Sequence, residues 1–144
     1  MNPLAPLYLF ADLLRSRHVE TGERGEDRAH RYLRRRGFRV VARNWRPPQG
    51  GGEIDIVAWE GEVLVFIEVK TRHSTSAGSS APERAIDDDK MLALRRAARD
   101  YVRRAFLDQG AGERELRFDV VSIGGIRLQH MREAFPASPT TSLY

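Results

Sequence analysis

The stretch Gly50–Arg72, "GGGEIDIVAWEGEVLVFIEVKTR", decides the fold. Two runs rich in β-branched and aromatic residues flank Gly61-Glu62, a two-residue turn, which reads as a β-hairpin. The second run is apolar without a break from Val63 to Ile67, the pattern of a strand covered on both faces near the middle of a sheet. Four ionisable residues nevertheless stand inside it: Glu53, Asp55, Glu68 and Lys70. Strand residues two apart share a face about 6.6 Å apart, so Glu53 sides with Asp55 and Glu68 with Lys70.

Upstream, "GERGEDRAHRYLRRRG" (Gly22–Gly37) predicts a helix. Thr21 can cap it, acids crowd its first turns, arginines its last, and Gly37 can end it. Ala29 and Leu33 mark its apolar face, and stepping back three from Ala29 puts Glu26 on that inward face. "FRVVARNW" suits a strand and "RPPQGGG" breaks it. Downstream, "RHSTSAGSSAP" reads as a small-residue loop, and Asp87–Leu107 as a helix with Met91, Leu94, Ala98, Tyr101 and Ala105 on one face. "LRFDVVSI" is a further strand. The order helix, three strands, helix, strand predicts an α/β domain with helices packed on a central sheet. Residues 1–20 are expected to be an N-terminal extension, 21–130 the domain, and 131–144 a flexible tail.

A chain of 144 residues, 41% of them hydrophobic, is enough for one core. It has no Cys, which argues against a disulfide scaffold or a thiolate metal site and suits a reducing cytoplasm. No apolar run approaches the roughly 20 residues that span a bilayer, and the opening, broken by Pro3, Pro6 and Asp12, does not read as a signal peptide. Between Arg15 and Arg46 there are 11 Arg against four Asp or Glu, so the N-terminal third is strongly cationic. Of the 24 basic residues only Lys70 and Lys90 are lysine. Arginine has met almost every demand for generic positive charge, so these two positions are candidates for tasks that need a compact ammonium.

Asp55, Glu68 and Glu26 against Lys70 leave two negative charges uncompensated if the Glu26 helix packs over the same face. Burying unpaired carboxylates costs several kcal/mol each or forces protonation. A divalent cation resolves the deficit, and an all-carboxylate set suits Mg²⁺ or Mn²⁺. Such an ion activates water and polarises a phosphoryl oxygen, Lys70 can orient the water or stabilise the transition state, and the arginines can hold a polyanion. Arg24, Arg43, Arg46, Arg72 and Lys90 are the candidate nucleic-acid contacts. Together these predict metal-assisted hydrolysis of a nucleic-acid phosphodiester.

Asp55, twelve intervening residues and then Glu68-Val69-Lys70 resemble the D…(D/E)xK core of the restriction-endonuclease-like superfamily. Glu26 matches the helical Glu of its archaeal Holliday-junction-resolvase branch. More closely, "GERGEDRAHRYLRRRGFRVVARNWR", "GGGEIDIVAWEGEVLVFIEVKTR" and "RFDVVSI" resemble the bacterial YraN family over about Gly22–Ile123. The resemblance implies an αβββαβ core with a mixed sheet, and a Mg²⁺-dependent endonuclease whose expected substrate is DNA, branched or damaged, with RNA as the alternative. It implies catalytic Asp55, Glu68 and Lys70 and metal ligands Glu26, Asp55 and Glu68. Related nucleases often work as homodimers, although no oligomer signal is legible here. Ile54 stands where the superfamily often has Pro.

Bland readings compete for several residues. Glu53 is a supporting group behind the ligands or merely part of the entry turn. Lys90 touches phosphate or balances Asp87–Asp89. Asp119 is expected to serve structural hydrogen bonding rather than catalysis. Arg34–Arg36 suit a helix C-terminus by the dipole alone, and His73 is a lone loop histidine. The rival function is a nucleic-acid-binding or adaptor domain that kept the fold without turnover. The Leu4–Leu14 segment offers a third, protein-interaction role.

Overall fold

The computed structural model describes residues 21–72, 87–109 and 114–137, with side chains from residue 25 onward. The N-terminal extension with its Leu4–Leu14 segment, the Arg24 side chain, His73 and the Ser/Gly-rich loop lie outside the described residues. Helix α1 (Thr21–Arg35) leads into β1 (Arg39–Trp45), β2 (Ile54–Glu60) and β3 (Val63–Arg72). Helix α2 (Asp88–Ala105), β4 (Leu116–Gly124) and β5 (Arg127–Phe135) follow. The sheet order is β1-β2-β3-β4-β5, with β3 and β4 parallel and the other neighbours antiparallel. This is the restriction-endonuclease-like α/β core, extended by one strand. Among the described residues, no helix is long and apolar enough to cross a membrane.

Local signals set the boundaries. Gly37 (φ +91°) ends α1 in a motif where the Phe38 N–H reaches the Leu33 carbonyl at 3.0 Å and the Gly37 N–H reaches Arg34 at 3.1 Å. Phe38, the next residue, is buried, so the helix end is also packed. Gly61 (φ +59°) takes the first central position of the two-residue turn that pairs Glu60 with Val63. Asp87 caps α2 by accepting the Lys90 N–H at 2.8 Å.

The two faces of the sheet carry separate apolar clusters. Ile54, Val57, Leu64, Phe66 and Phe118 pack with Leu94, Ala97 and Ala98 of α2. Ile56, Ala58, Val65, Ile67, Val121 and Ile123 pack with Ala29 and Leu33 of α1. Each fully buried Leu, Ile or Phe in these layers stabilises the fold by about 1.5–3 kcal/mol. Both faces of β3 are covered, as its unbroken apolar run predicts. Ala105, expected on the inner stripe of α2, is exposed at its last turn.

Two expectations are corrected. The boundary between residues 130 and 131 falls inside β5, which ends in buried Phe135; the polar run "RLQHMREAF" is an edge strand and not a tail. The face above Glu68 and Lys70 belongs to α2, because Val65 and Ile67 point to α1 and alternation carries Glu68 and Lys70 to the other side. Helix α1 covers the opposite face, where Gly25 rests against Thr71; a Cβ at position 25 would collide with the Thr71 hydroxyl.

Candidate active site

The β2–β3 ladder runs from Glu60↔Val63 to Ile56↔Ile67 and then stops. One step further, where Asp55 would face Glu68, the Asp55 side chain takes over the pairing: its Oδ2 accepts the Val69 N–H at 2.8 Å. Strand β3 continues to Arg72 paired only with β4. The β2–β3 pairing therefore ends at Asp55, and an opening between the strands begins there. Ile54 packs on the α2 side while Ile56 packs on the α1 side, so alternation slips across Asp55. On β1 the residue opposite is Asn44, between Arg43↔Ile56 and Trp45↔Ile54, with a left-handed φ of +50°.

Three acids surround this opening. Glu68 is 7% exposed at its side chain, and its Oε2 is buried without a hydrogen-bond partner. Its Oε1 faces two ammonium groups, Lys70 Nζ at 3.8 Å and Lys90 Nζ at 3.4 Å. Burial, and then the charge of Glu68, push the Asp55 carboxyl up to about 7, against the opposing Val69 N–H. Burial, and then the charge of Asp55, push Glu26 up to about 7, although an Asn44 hydrogen bond and Arg43 favour its ionised form. Asp55 is the hub: Glu68 approaches it on the α2 face, Glu26 from α1.

Glu53 adds negative charge to both Asp55 and Glu26 while its Oε2 accepts two bonds from Arg46, at 2.8 and 3.2 Å. Arg46 is exposed, and Arg72 lies at the end of β3. Arg43, expected on the nucleic-acid face, is turned inward instead: 8% exposed, it donates to Asp27 at 2.8 Å and lies 3.8 Å from Glu26. An arginine in a strand satisfies the acids of the overlying helix more readily than solvent when that helix carries Asp27 and Glu26 one turn from its start.

The fit to a metal is that of a donor set and not of a finished cage. Among the described residues, no three His, Cys, Asp or Glu side chains stand together so as to enclose an ion. The chemistry of the set nonetheless suits a hard dication: oxygen donors only, two carboxyls held near 7 by burial and by neighbouring carboxylates, and one buried Glu68 oxygen that no N–H or O–H donor of the described residues reaches. Asp55 and Glu68 would hold it, and Glu26 would have to be drawn toward them.

Sequence reasoning missed Asn44. Its signal was an Asn inside a strand, where the residue is disfavoured but tolerates a left-handed backbone. It also missed what Asp119 does. Asp119 accepts from Arg117 at 2.8 and 2.9 Å, from the Glu133 N–H at 3.0 Å, and lies 2.8 Å from His130 Nε2, a structural node as expected but with partners from the unforeseen β5.

The family model described as "Uncharacterised protein family UPF0102" matches residues 25–123. A UPF0102 protein of Solibacter usitatus is 51% identical over 134 residues, covering 90% of this chain and 97% of the relative. One from Koribacter versatilis is 45% identical over 74% of this chain and 69% of the relative. A third, from Nitratidesulfovibrio vulgaris, is 40% identical over 87% of this chain and 90% of its own length.

Proposed function

The chain belongs to UPF0102, the YraN family, and from that premise we propose that it is a metal-dependent nuclease that hydrolyses phosphodiester bonds of nucleic acid in the cytoplasm, DNA rather than RNA. The observation that carries the reading is Glu68: a buried carboxylate paired side by side with the Asp55 carboxyl, one of its oxygens reached by no N–H or O–H donor of the described residues and the other facing two ammoniums. Two buried carboxyls set against each other must share a proton or a cation, because two unpaired charges there would cost several kcal/mol.

Mg²⁺ or Mn²⁺ bound by Asp55 and Glu68 would polarise a phosphoryl oxygen and lower the pKa of a water beside it. Asp55 keeps its orientation through the Val69 N–H, which holds its carboxyl beside that of Glu68. Lys70, on the same face as Glu68, orients the attacking water. Arg31, Arg34, Arg35, Arg36 and Arg39 are exposed and have no acidic partner among the described residues, which suits backbone phosphates without base readout. The exposed arginines by themselves suit the second reading, a nucleic-acid-binding domain without turnover.

The test is cleavage of single-stranded, duplex and junction DNA, and of RNA, with Mg²⁺ or Mn²⁺. Asp55→Ala and Lys70→Ala should each lose cleavage by at least about 100-fold while binding persists. Residual cleavage equal in wild type and both variants overturns the nuclease reading. Binding without cleavage by wild type selects the adaptor.

A further inference from the structure

The two lysines of the chain are 20 positions apart and belong to different elements, yet both reach one carboxylate oxygen. Lys90 stands at the third position of α2, fixed there by the Asp87 cap. That is the wrong end of a helix for a cation, since the first turn favours negative charge. Asp88 and Asp89 occupy the same turn, but the Lys90 ammonium pairs with none of these acids and turns to Glu68 at 3.4 Å. Balancing the local acids therefore does not explain it.

Neither lysine closes on Glu68. Separations of 3.4 and 3.8 Å exceed the ordinary 2.7–3.2 Å of an N–H···O hydrogen bond. Each ammonium has three donors, and both side chains are more than a third exposed. Two partly exposed cations thus converge on Glu68 with donors to spare, held by one buried anion and not saturated by it. A tetrahedral phosphate group, with two non-bridging oxygens, matches that arrangement.

We propose that Lys90 is a second catalytic ammonium, donating from α2 to a non-bridging oxygen of the phosphodiester being cleaved while Lys70 acts from β3. The inference rests on the phosphodiester reading above and deepens it. In the reaction, water's oxygen bonds to phosphorus, the P–O bond to the leaving sugar oxygen breaks, water's proton passes to solvent and the sugar oxygen takes a proton from solvent. Lys90 keeps its proton throughout and offsets the charge that gathers on the phosphoryl oxygens.

Because there are only two lysines, ¹³C-lysine labelling of the full chain gives two side-chain NMR signals. Titration with a single-stranded DNA oligonucleotide, without metal, should move both signals to saturation with one shared midpoint. Cleavage of the same strand with Mg²⁺ should fall by about 100- to 1000-fold in kcat for Lys90→Met, with KM little changed. Lys90→Arg, which keeps the charge, should recover part of that loss. A stationary Lys90 signal at saturation overturns the proposal, as does a Lys90→Met variant that is folded and cleaves at the wild-type rate. Joint movement of both signals in a protein that cleaves nothing removes the nuclease reading and the catalytic role of Lys90 with it, and leaves a phosphate contact only, whereas a Lys90 signal that stays still in a protein that does cleave overturns the Lys90 role alone.

Discussion

Asp55 and Asp119 occupy the two strands that flank β3, and burial disfavours the charge on both, yet their surroundings drive them apart. Burial pushes the Asp119 carboxyl upward, but the His130 and Arg117 hydrogen bonds and the Glu133 N–H outweigh it and hold it down at about 2. Arg117 is itself braced by Glu60 at 2.7 Å, and Glu60 by Arg132 at 2.6 Å, so the network closes on itself. Asp55 has one N–H and three acids around it, and stands near 7. Depth in the sheet does not separate them; partners do. The chain completes Asp119 with its own groups and leaves Asp55 to be completed from outside.

The largest expected effect breaks the comparison if it fails. Removing Asp119 leaves the Arg117 guanidinium without its buried anion, so Asp119→Ala should cost about 3–5 kcal/mol. Asp55→Asn keeps an acceptor for Val69 and deletes a charge that its neighbours repel. Without metal at pH 8 it should unfold no more easily than wild type, and its urea midpoint should rise. Equal losses in the two variants would mean that Asp55 is as structural as Asp119.

That contrast was only half legible in the sequence. The apolar run Val63–Ile67 placed β3 centrally, and the Ala29/Leu33 spacing brought Glu26 inward, because side-chain periodicity is a direct record of burial. The Gly37 stop is a backbone requirement readable from one residue. β5 escaped because "RLQHMREAF" is an edge strand with one fully buried residue, so its burial left little pattern. With β5 went His130 and the Glu133 bulge, and so the reason Asp119 is satisfied. Arg43 was misplaced for a related cause: an arginine in a strand looks the same whether it meets solvent or Asp27. Which helix covers Glu68 depended on counting faces across two elements, where one slip at Asp55 reverses the answer.

A smaller effect sharpens the comparison through pH and metal. The folded carboxyls of Asp55 and Glu26 lie near 7, above their unfolded values near 4. The native state therefore holds protons that the unfolded chain has released, and the metal-free protein should lose stability as pH rises from about 4 to about 7. Asp119 has the opposite sign: its contribution is present above about 4 and is lost as pH falls toward about 2. Urea midpoints measured across this range should show a dome with two separately assignable limbs. Saturating Mg²⁺ or Mn²⁺ should lift the high-pH limb, by about 2.7 kcal/mol at a hundredfold excess over Kd. Asp55→Asn and Glu68→Gln should abolish that lift, and Glu60→Gln, in the other network, should keep it. A metal lift unchanged in Asp55→Asn would move the ion elsewhere.

The smallest effect concerns a parallel between the two sites. Among the described residues, the two non-glycine positions with left-handed φ are Asn44, opposite Asp55, and Glu133, whose N–H reaches Asp119. A left-handed non-glycine residue costs of order 1 kcal/mol, and glycine removes that cost while adding chain entropy to the unfolded state. For Glu133 the useful group is the backbone N–H, which glycine keeps, so Glu133→Gly should stay within about 0.5 kcal/mol of wild type. For Asn44 the useful group is the side chain that hydrogen-bonds Glu26 and favours its ionised form. Asn44→Gly should leave stability nearly unchanged but raise the Glu26 midpoint further, which ¹³C-carboxyl NMR reads directly. Asp119 in Glu133→Gly should titrate as in wild type. The same strain relieved at both places then alters protonation only at the site whose acids the fold leaves incomplete, and an unmoved Glu26 in Asn44→Gly would reduce Asn44 to a turn residue.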